Sequence, residues 1–286
     1  MWTSTALLPI LLLSVAARND RRQIIPSTTS SAPAPTTSSA PAPTSTADAF
    51  RVGLAMNTDS KADIASFGRG KIGWYYSYNT EPLANTDGLE FVPIIWGAQA
   101  ARDFTGAVAV GTTHILGFNE PDIDGSSGGS NIDSTTAGDL HNLWTSKVPA
   151  GILIGSPAVA RGSKAYFQRF LDSCGPNCKY DFVPFHFYGD NADDLVTYAE
   201  DFYATYGKPL WLTEFACQDY VSGYVCTKDQ VETFMDIAIT FFRSPNSPVE
   251  RWSWFGAFPD YAVTNPNGIL NTDSTANEQG KFYATL

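Results

Sequence analysis

Gly117-Phe118-Asn119-Glu120-Pro121-Asp122 plants a carboxylate directly behind the apolar run His114-Ile115-Leu116-Gly117-Phe118. The run reads as a strand that stops at its proline, because Pro121 has no N–H to continue a ladder and pushes the residue before it into extended geometry. Glu120 is therefore expected at the C-terminal end of a strand. Pro209-Leu210-Trp211-Leu212-Thr213-Glu214-Phe215 has the same design, a buried-strand pattern that delivers a second glutamate. The chain between the two is long enough for two to three strand-plus-helix units of ~30 residues each. The glutamates meet only if the strands curl into a barrel, whose C-terminal strand ends converge on one face.

Segments of strand character recur at 51–56, 72–76, 90–96, 114–118, 152–156, 181–187, 209–215 and 251–255. Helical patterns lie between them. The clearest spans 227–242, where Val231, Phe234, Met235, Ala238, Ile239 and Phe242 share one face and Thr227 with Gln230 forms a capping box. Leu140, Leu143, Trp144 and Val148 form a second stripe, and Tyr166, Phe167, Phe170 and Leu171 a third. Segments 59–69 and 98–110 leave room only for short helices. Strands alternating with helices predict an α/β fold, here a single-domain (β/α)8 TIM barrel over 49–286, matching the ~250 residues such barrels use.

Upstream, residues 6–17 are an apolar run ending in small residues, short of the ~20 needed to span a bilayer. Residues 1–17 read as a secretory signal peptide. Residues 18–48 form a Pro/Ser/Thr-rich linker in which Ser-Ser-Ala-Pro-Ala-Pro-Thr occurs at 30–36 and again at 38–44. Such a segment buries no apolar surface against its ordering entropy, so it is expected to be disordered, like an O-glycosylated stalk. These features predict a secreted protein, extracellular or in a cell wall, with no membrane segment after leader removal. A net charge of −11 argues against nucleic acid as a partner. A neutral glycan fits better, and a monomer is expected.

Four cysteines in a secreted chain allow three disulfide connectivities. Cys174-Gly-Pro-Asn-Cys178 is a tight turn suited to local closure, which leaves Cys217 for Cys226. The Cys-X3-Cys spacing is not a redox motif, and His114, His141 and His186 match no metal-binding pattern. No metal and no cofactor are expected.

Gly-Phe-Asn-Glu-Pro-Asp at 117–122, Pro-Ile-Ile-Trp-Gly at 93–97, His-Phe-Tyr-Gly at 186–189, Trp-Leu-Thr-Glu-Phe at 211–215 and Gly-Ile-Leu-Asn at 268–271 together resemble glycoside hydrolase family 128, secreted endo-β-1,3-glucanases. The resemblance runs from about Arg51 to the C-terminus. It implies a clan A-type (β/α)8 barrel and a retaining mechanism, with Glu120 as acid/base after strand 4 and Glu214 as nucleophile after strand 7. It also implies that Asn119 bonds the 2-hydroxyl of the sugar. His186 and Tyr188 are expected to orient Glu214 or the sugar. Tyr76-Ser77-Tyr78 departs from the family's usual Tyr-Asn-Trp, which makes Tyr78 the sugar-contact candidate near strand 2.

Two carboxylates suit this chemistry, because a glycosidic oxygen leaves only when an acid protonates it while a carboxylate acts on the anomeric carbon. Retention expects the carboxyl groups about 5–5.5 Å apart. Glu120 is expected to have the raised pKa, and Glu214 to stay ionised through hydrogen bonds. Trp74, Trp96 and Trp254 read as platforms for the C–H faces of sugar rings at strand ends. Trp211 has the opposite parity to Glu214 and is expected under the helices, and Trp144 in the core. The glycine-rich insertion 122–136 is expected to lack regular structure and to serve either as a wall of the cleft or as a passive surface loop. Two other functions fit the same scaffold: a non-catalytic glucan-binding wall protein, and a β-glucan transglycosylase.

Overall fold

In β1 (Val52–Ala55), Val52 and Leu54 point outward into the main core while Gly53 and Ala55 point to the opposite face of the sheet. This alternation is what a strand with both faces buried requires. The computed structural model describes residues 50–57, 61–84, 86 and 88–286, so the expected signal peptide (1–17) and linker (18–48) lie outside the described residues. Two- to ten-residue strands follow: β2 (Trp74–Tyr76), β3 (Glu90–Phe91), β4 (His114–Ile115), β5 (Leu153–Ile154), β6 (Val183–Gly189), β7 (Leu210–Asp219), β8 (Tyr224–Val225) and β9 (Val249–Phe255). All eight expected strands are met, and β8 is an addition that pairs antiparallel with the end of β7.

The main sheet runs β3-β2-β1-β9-β7-β6 with every neighbour parallel, and β4 pairs with β5 separately. Single parallel bridges span the gaps: Ile94 with Leu116 between the β3 and β4 segments, and Gly155 with Phe182 and Val159 with Phe185 between those of β5 and β6. Helices α1 (Ala98–Asp103), α2 (Ser134–Thr145), α3 (Lys164–Cys174), α4 (Ala192–Tyr206), α5 (Lys228–Arg243), α6 (Tyr261–Thr264) and α7 (Glu278–Thr285) fall between or after the strands. The protein is thus α/β with a mostly parallel sheet. In α5 the Thr227 and Gln230 capping box forms as expected, and the six predicted apolar residues are all buried. In α2 the buried stripe is Ala137, Leu140, His141 and Trp144; Leu143 turns to solvent and Val148 lies beyond the helix.

The inner face of the sheet carries its own apolar cluster: Ala55, Trp74, Tyr76, Val92, Ile94, Leu116, Phe182 and Trp211. Here two tryptophan expectations are corrected. Trp74 is fully buried at the start of β2, its indole N–H donating to the Arg51 carbonyl and its ring 5.3 Å from that of Trp211. It leans over Gly53, where a Cβ would sit 2.2 Å from the indole, so only glycine fits opposite it. Trp211 is on the inner face, not under the helices, because β7 carries a bulge: Phe185 pairs with Leu212 and His186 with Glu214, and Thr213 is skipped. One extra residue restores Trp211 and Glu214 to the same face.

At the strand starts, Glu90 on β3 reaches Arg251 on β9 at 2.7 Å and His114 on β4 at 2.9 Å, while the Arg251 guanidinium lies 4.4 Å over the Trp211 ring. The sheet curls far enough to join strands that are three places apart in its order. Both predicted disulfides, Cys174–Cys178 and Cys217–Cys226, are present. Among the described residues no helix is long and apolar enough to cross a membrane.

Burial alone would raise the Glu90 carboxyl, but hydrogen bonds from His114 and Thr113 and the Arg251 charge outweigh it, bringing it from 4.5 down to about 2. A carboxylate depressed in the folded state stabilises above its unfolded pKa and loses that contribution as pH falls through the folded one. Glu90 therefore contributes fully above about pH 4.5 and progressively less toward pH 2. Glu90→Gln should lower the melting temperature at neutral pH and flatten its decline over this acid window. Circular dichroism melts across pH 2–7 on both proteins check this; parallel curves would refute it.

Candidate active site

Glu120 follows β4 in a left-handed backbone conformation, φ +38°, which costs a non-glycine residue of order 1–3 kcal/mol. The surrounding backbone holds it there: Asn119 N–H donates to the Trp96 carbonyl, Glu120 N–H to the Ala158 carbonyl, and Ser130 N–H to the Asn119 and Glu120 carbonyls. Gly129 presses on the same turn, and a Cβ there would lie 2.6 Å from the Glu120 carbonyl oxygen. Glu214 enters from β7, turned inward by the bulge, beside its register partner His186 on β6.

The three side chains converge. His186 Nδ1 is 2.9 Å from Glu120 Oε1 and 3.5 Å from Glu214 Oε2, and one oxygen of each carboxylate and a His186 nitrogen all lie within 4.8 Å of one another. His186 Nε2 faces Thr213 Oγ1 at 3.0 Å. This histidine is bonded to side chains of the site, not to backbone carbonyls as an ordinary wall histidine would be. Thr213, set out of register by the bulge, also accepts at its carbonyl from Tyr76 Oη at 3.1 Å and Ser253 Oγ at 2.5 Å. Phenol donors complete the shell of Glu214: Tyr78 to Oε1 at 2.9 Å, Tyr76 to the same oxygen at 3.1 Å as an alternative to Thr213, and Tyr188 to Oε2 at 2.5 Å.

Burial is the largest influence on Glu214, His186 and the three tyrosines. It pushes the Glu214 carboxyl up; the His186 charge pulls it back, the Glu120 charge pushes it further, and the Tyr188 and Tyr78 hydroxyls pull it down, for a net rise. The net rise departs from the expectation that hydrogen bonds hold Glu214 in its ordinary ionised range, because burial outweighs them. For His186, burial favours the neutral ring, but the charges of Glu214 and Glu120 outweigh it and the pKa is raised. Burial followed by the Glu214 charge raises Tyr76, Tyr78 and Tyr188 well above the ordinary phenol range, so all three remain donors.

The carboxylates open into a cleft of about 1180 Å³. Of the predicted sugar contacts, Asn119, Tyr78, Trp96 and Tyr188 line it, with Trp96 36% exposed. His186 lies just behind the carboxylates. Trp74 and Trp254 do not reach it: Trp74 belongs to the inner cluster, and Trp254 is fully buried on the outer face, its indole donating to the Asn267 carbonyl and its ring 4.8 Å from Phe215. Trp254 pairs in register with Phe215, so both point toward the helices. The insertion forms one wall through Ile123, Asp124, Ser126, Ser127 and Gly128. Part of it is regular: a 3-10 turn at Gly125–Ser127 is capped by Asp124, and α2 starts at Ser134.

Sequence reasoning passed over Tyr76 and Thr213 as ligands of the carboxylates and Tyr220, Phe255 and Phe258 as cleft residues. Tyr220 is 66% exposed on the hairpin that Cys217–Cys226 closes, and its ring packs edge-on to Tyr188 at 5.0 Å. The signal for this hairpin was available in the sequence, since the two cysteines bracket it immediately after Glu214.

A family model described as "Glycosyl hydrolase catalytic core" matches residues 53–283. The chain belongs to this glycoside hydrolase family. It is 31% identical over 217 residues to alkali-sensitive linkage protein 1 of Schizosaccharomyces pombe, a match covering 74% of this chain but only 40% of that protein. Among solved structures it resembles a glycoside hydrolase family 128 subgroup I endo-β-1,3-glucanase from Amycolatopsis mediterranei in complex with laminaritriose, at TM-score 0.68 and 27% identity, over 82% of this chain and 99% of that one. It also resembles a subgroup III curdlan-specific exo-β-1,3-glucanase from Blastomyces gilchristii in complex with glucose, at TM-score 0.66 and 25% identity, over 84% and 99%. The family 128 resemblance carried by the motifs is borne out.

Because the Tyr78 and Tyr188 hydroxyls stabilise the ionised Glu214, removing them should raise its pKa further. Tyr78→Phe/Tyr188→Phe is expected to shift the acid limb of the pH–activity profile to higher pH, since more Glu214 is protonated at a given pH. Titration of kcat/KM between pH 3 and 8 checks this; an unmoved or acid-shifted limb would contradict it.

Proposed function

We propose that this chain is a secreted, monomeric, retaining endo-β-1,3-glucanase whose eight parallel strands close into a (β/α)8 barrel. Closure is supported by the bridges that join the segments of β3 to β4 and of β5 to β6, and by the Glu90–Arg251 pair across the strand starts. The observation that carries the chemistry is the approach of Glu120 and Glu214 to within 4.8 Å through their nearest ligand oxygens, with His186 beside both. A contact this close between their nearest oxygens favours the ~5–5.5 Å carboxyl separation of a retaining pair over the ~6.5–9.5 Å that seats a water in an inverting one.

In this mechanism Glu120 protonates the leaving oxygen as Glu214 attacks the anomeric carbon from the opposite side, giving a covalent glycosyl-enzyme. Glu120 then takes a proton from the incoming water. The hydroxyls of Tyr78 and Tyr188 hold Glu214 against rotation and favour its charged form. His186 orients Glu120 through Nδ1. Asn119 donates from Nδ2 to the Gly128 carbonyl, and its Oδ1 has no protein partner, which supports its assignment to the sugar's 2-hydroxyl.

The two glucanase structures supply the substrate class, since one holds laminaritriose and the other is described as curdlan-specific. A cleft of about 1180 Å³ exceeds the ~300–1,000 Å³ usual for small-molecule sites, which suits an extended chain and internal cleavage. A purely binding role has no use for a histidine shared by two buried carboxylates. A second reading is transglycosylation, favoured by the relative named as a linkage protein. There the glycosyl-enzyme passes to a sugar hydroxyl instead of water. Secretion rests on the apolar run 6–17 and the stalk-like tract behind it.

Incubation of the protein with laminarihexaose, with products followed by size and by NMR of the first-formed anomer, should give shorter oligosaccharides of β configuration. Products longer than the substrate would favour transfer, and α products would refute retention. Glu120→Gln should lower kcat by about 10²–10⁴ on unactivated glucan. Glu214→Ala should be inactive alone and form an α-glycosyl azide when azide is added, whereas Glu120→Ala with azide should release a β-glycosyl azide from an activated aryl substrate. Exchanged outcomes would swap the two roles.

A further inference from the structure

Glu120, His186 and Glu214 are arranged as more than an acid and a nucleophile. We propose that the three side chains form a binding site for borderline divalent transition ions of the zinc and copper(II) class, and that occupancy shuts off the reaction. A tetrahedral zinc with bonds of ~2.0–2.1 Å holds its ligand atoms ~3.3–3.4 Å apart. His186 Nδ1 is already 2.9 Å from Glu120 Oε1 and 3.5 Å from Glu214 Oε2, and the third separation is no more than 4.8 Å. Rotation of the Glu120 carboxylate toward Glu214, which its phenol donors hold in place, completes the triangle.

The supporting shell has the form metal sites require. Thr213 Oγ1, 3.0 Å from His186 Nε2, accepts the proton on that nitrogen and leaves the Nδ1 lone pair for the ion. Tyr78 and Tyr188 orient Glu214. The cleft gives an entry path and room for water at the remaining position, because both glutamates line it. Two carboxylates and a neutral imidazole balance a dication. The imidazole favours zinc and copper(II) over magnesium and calcium, which prefer six or more oxygen ligands. Binding exchanges the ion for the proton held between His186 Nδ1 and Glu120 Oε1, which passes to solvent.

Binding rests on this geometry alone; inhibition rests in addition on the glucanase reading. The full chain, metal-free and with disulfides intact, is titrated with zinc chloride by calorimetry at pH 7.5, and with cobalt(II) by visible absorption. Keeping the disulfides closed silences the other cluster of suitable side chains among the described residues, His141 with Cys174 and Cys178. One ion per chain is expected, with affinity falling about tenfold per pH unit of acidification while that proton is held. His186→Ala and Glu214→Gln should each abolish binding with an unchanged far-UV spectrum, and Thr213→Val should weaken it about 10- to 100-fold. Zinc should inhibit laminarihexaose hydrolysis at the concentrations that fill the site, reversibly with EDTA. Absence of stoichiometric binding, or binding undiminished in both His186→Ala and Glu214→Gln, overturns the site. Saturating zinc without loss of activity overturns the inhibition. A protein that binds zinc at these residues yet hydrolyses no glucan when metal-free supports the site and refutes the glucanase reading.

Discussion

One extra residue in β7 relative to β6 decides where the chemistry of this protein sits. The bulge at Thr213 brings Glu214 into register with His186 and turns it to the inner face, where strict alternation from Trp211 would have sent it toward the helices. The displaced Thr213 is then used on both sides, its hydroxyl meeting His186 and its carbonyl accepting from Tyr76 and Ser253. The hydroxyl and the carbonyl of the skipped residue are therefore both bonded, as buried polar groups at a break in a ladder must be.

Around that point the electrostatics are a balance of large opposing influences. Burial alone would neutralise Glu214 and His186 alike. Their proximity to each other and to Glu120 favours a charged histidine, and phenol donors favour a charged Glu214. The result is a compact cluster in which a small displacement of any member alters the protonation of the others. Such coupling suits a pair of carboxylates of which one must hold a proton while the other stays charged.

The aromatic residues divide according to the face they occupy. Trp74 and Trp211 pack the inner face near the strand starts, capped by the Glu90–Arg251–His114 network, so the space beneath the cleft is filled. Trp252 and Trp254 alternate with Ser253 and pack outward. Among the described tryptophans only Trp96, at the mouth of the cleft, remains partly exposed. Tyr220, Phe255 and Phe258 face the same cleft from the hairpin and from the end of β9.

The chain by itself determined where the strands fall along it, the positions of Glu120 and Glu214 behind apolar runs, the capping box of α5 and both disulfides. These depend on local periodicity, on proline, or on cysteines near each other in sequence, all of which act over a few residues. The motif set was likewise enough for the family. Only the tertiary structure decided which face Trp211 and Glu214 share, because a bulge is defined by the neighbouring strand and leaves no mark in the strand's own pattern. It also decided that Trp74 and Trp254 are core and that Tyr76 and Thr213 belong to the site, since strand ends are defined by packing. Burial settled the direction of the Glu214 shift for the same reason: desolvation depends on everything that surrounds a carboxylate, and most of what surrounds Glu214 comes from strands far away in sequence.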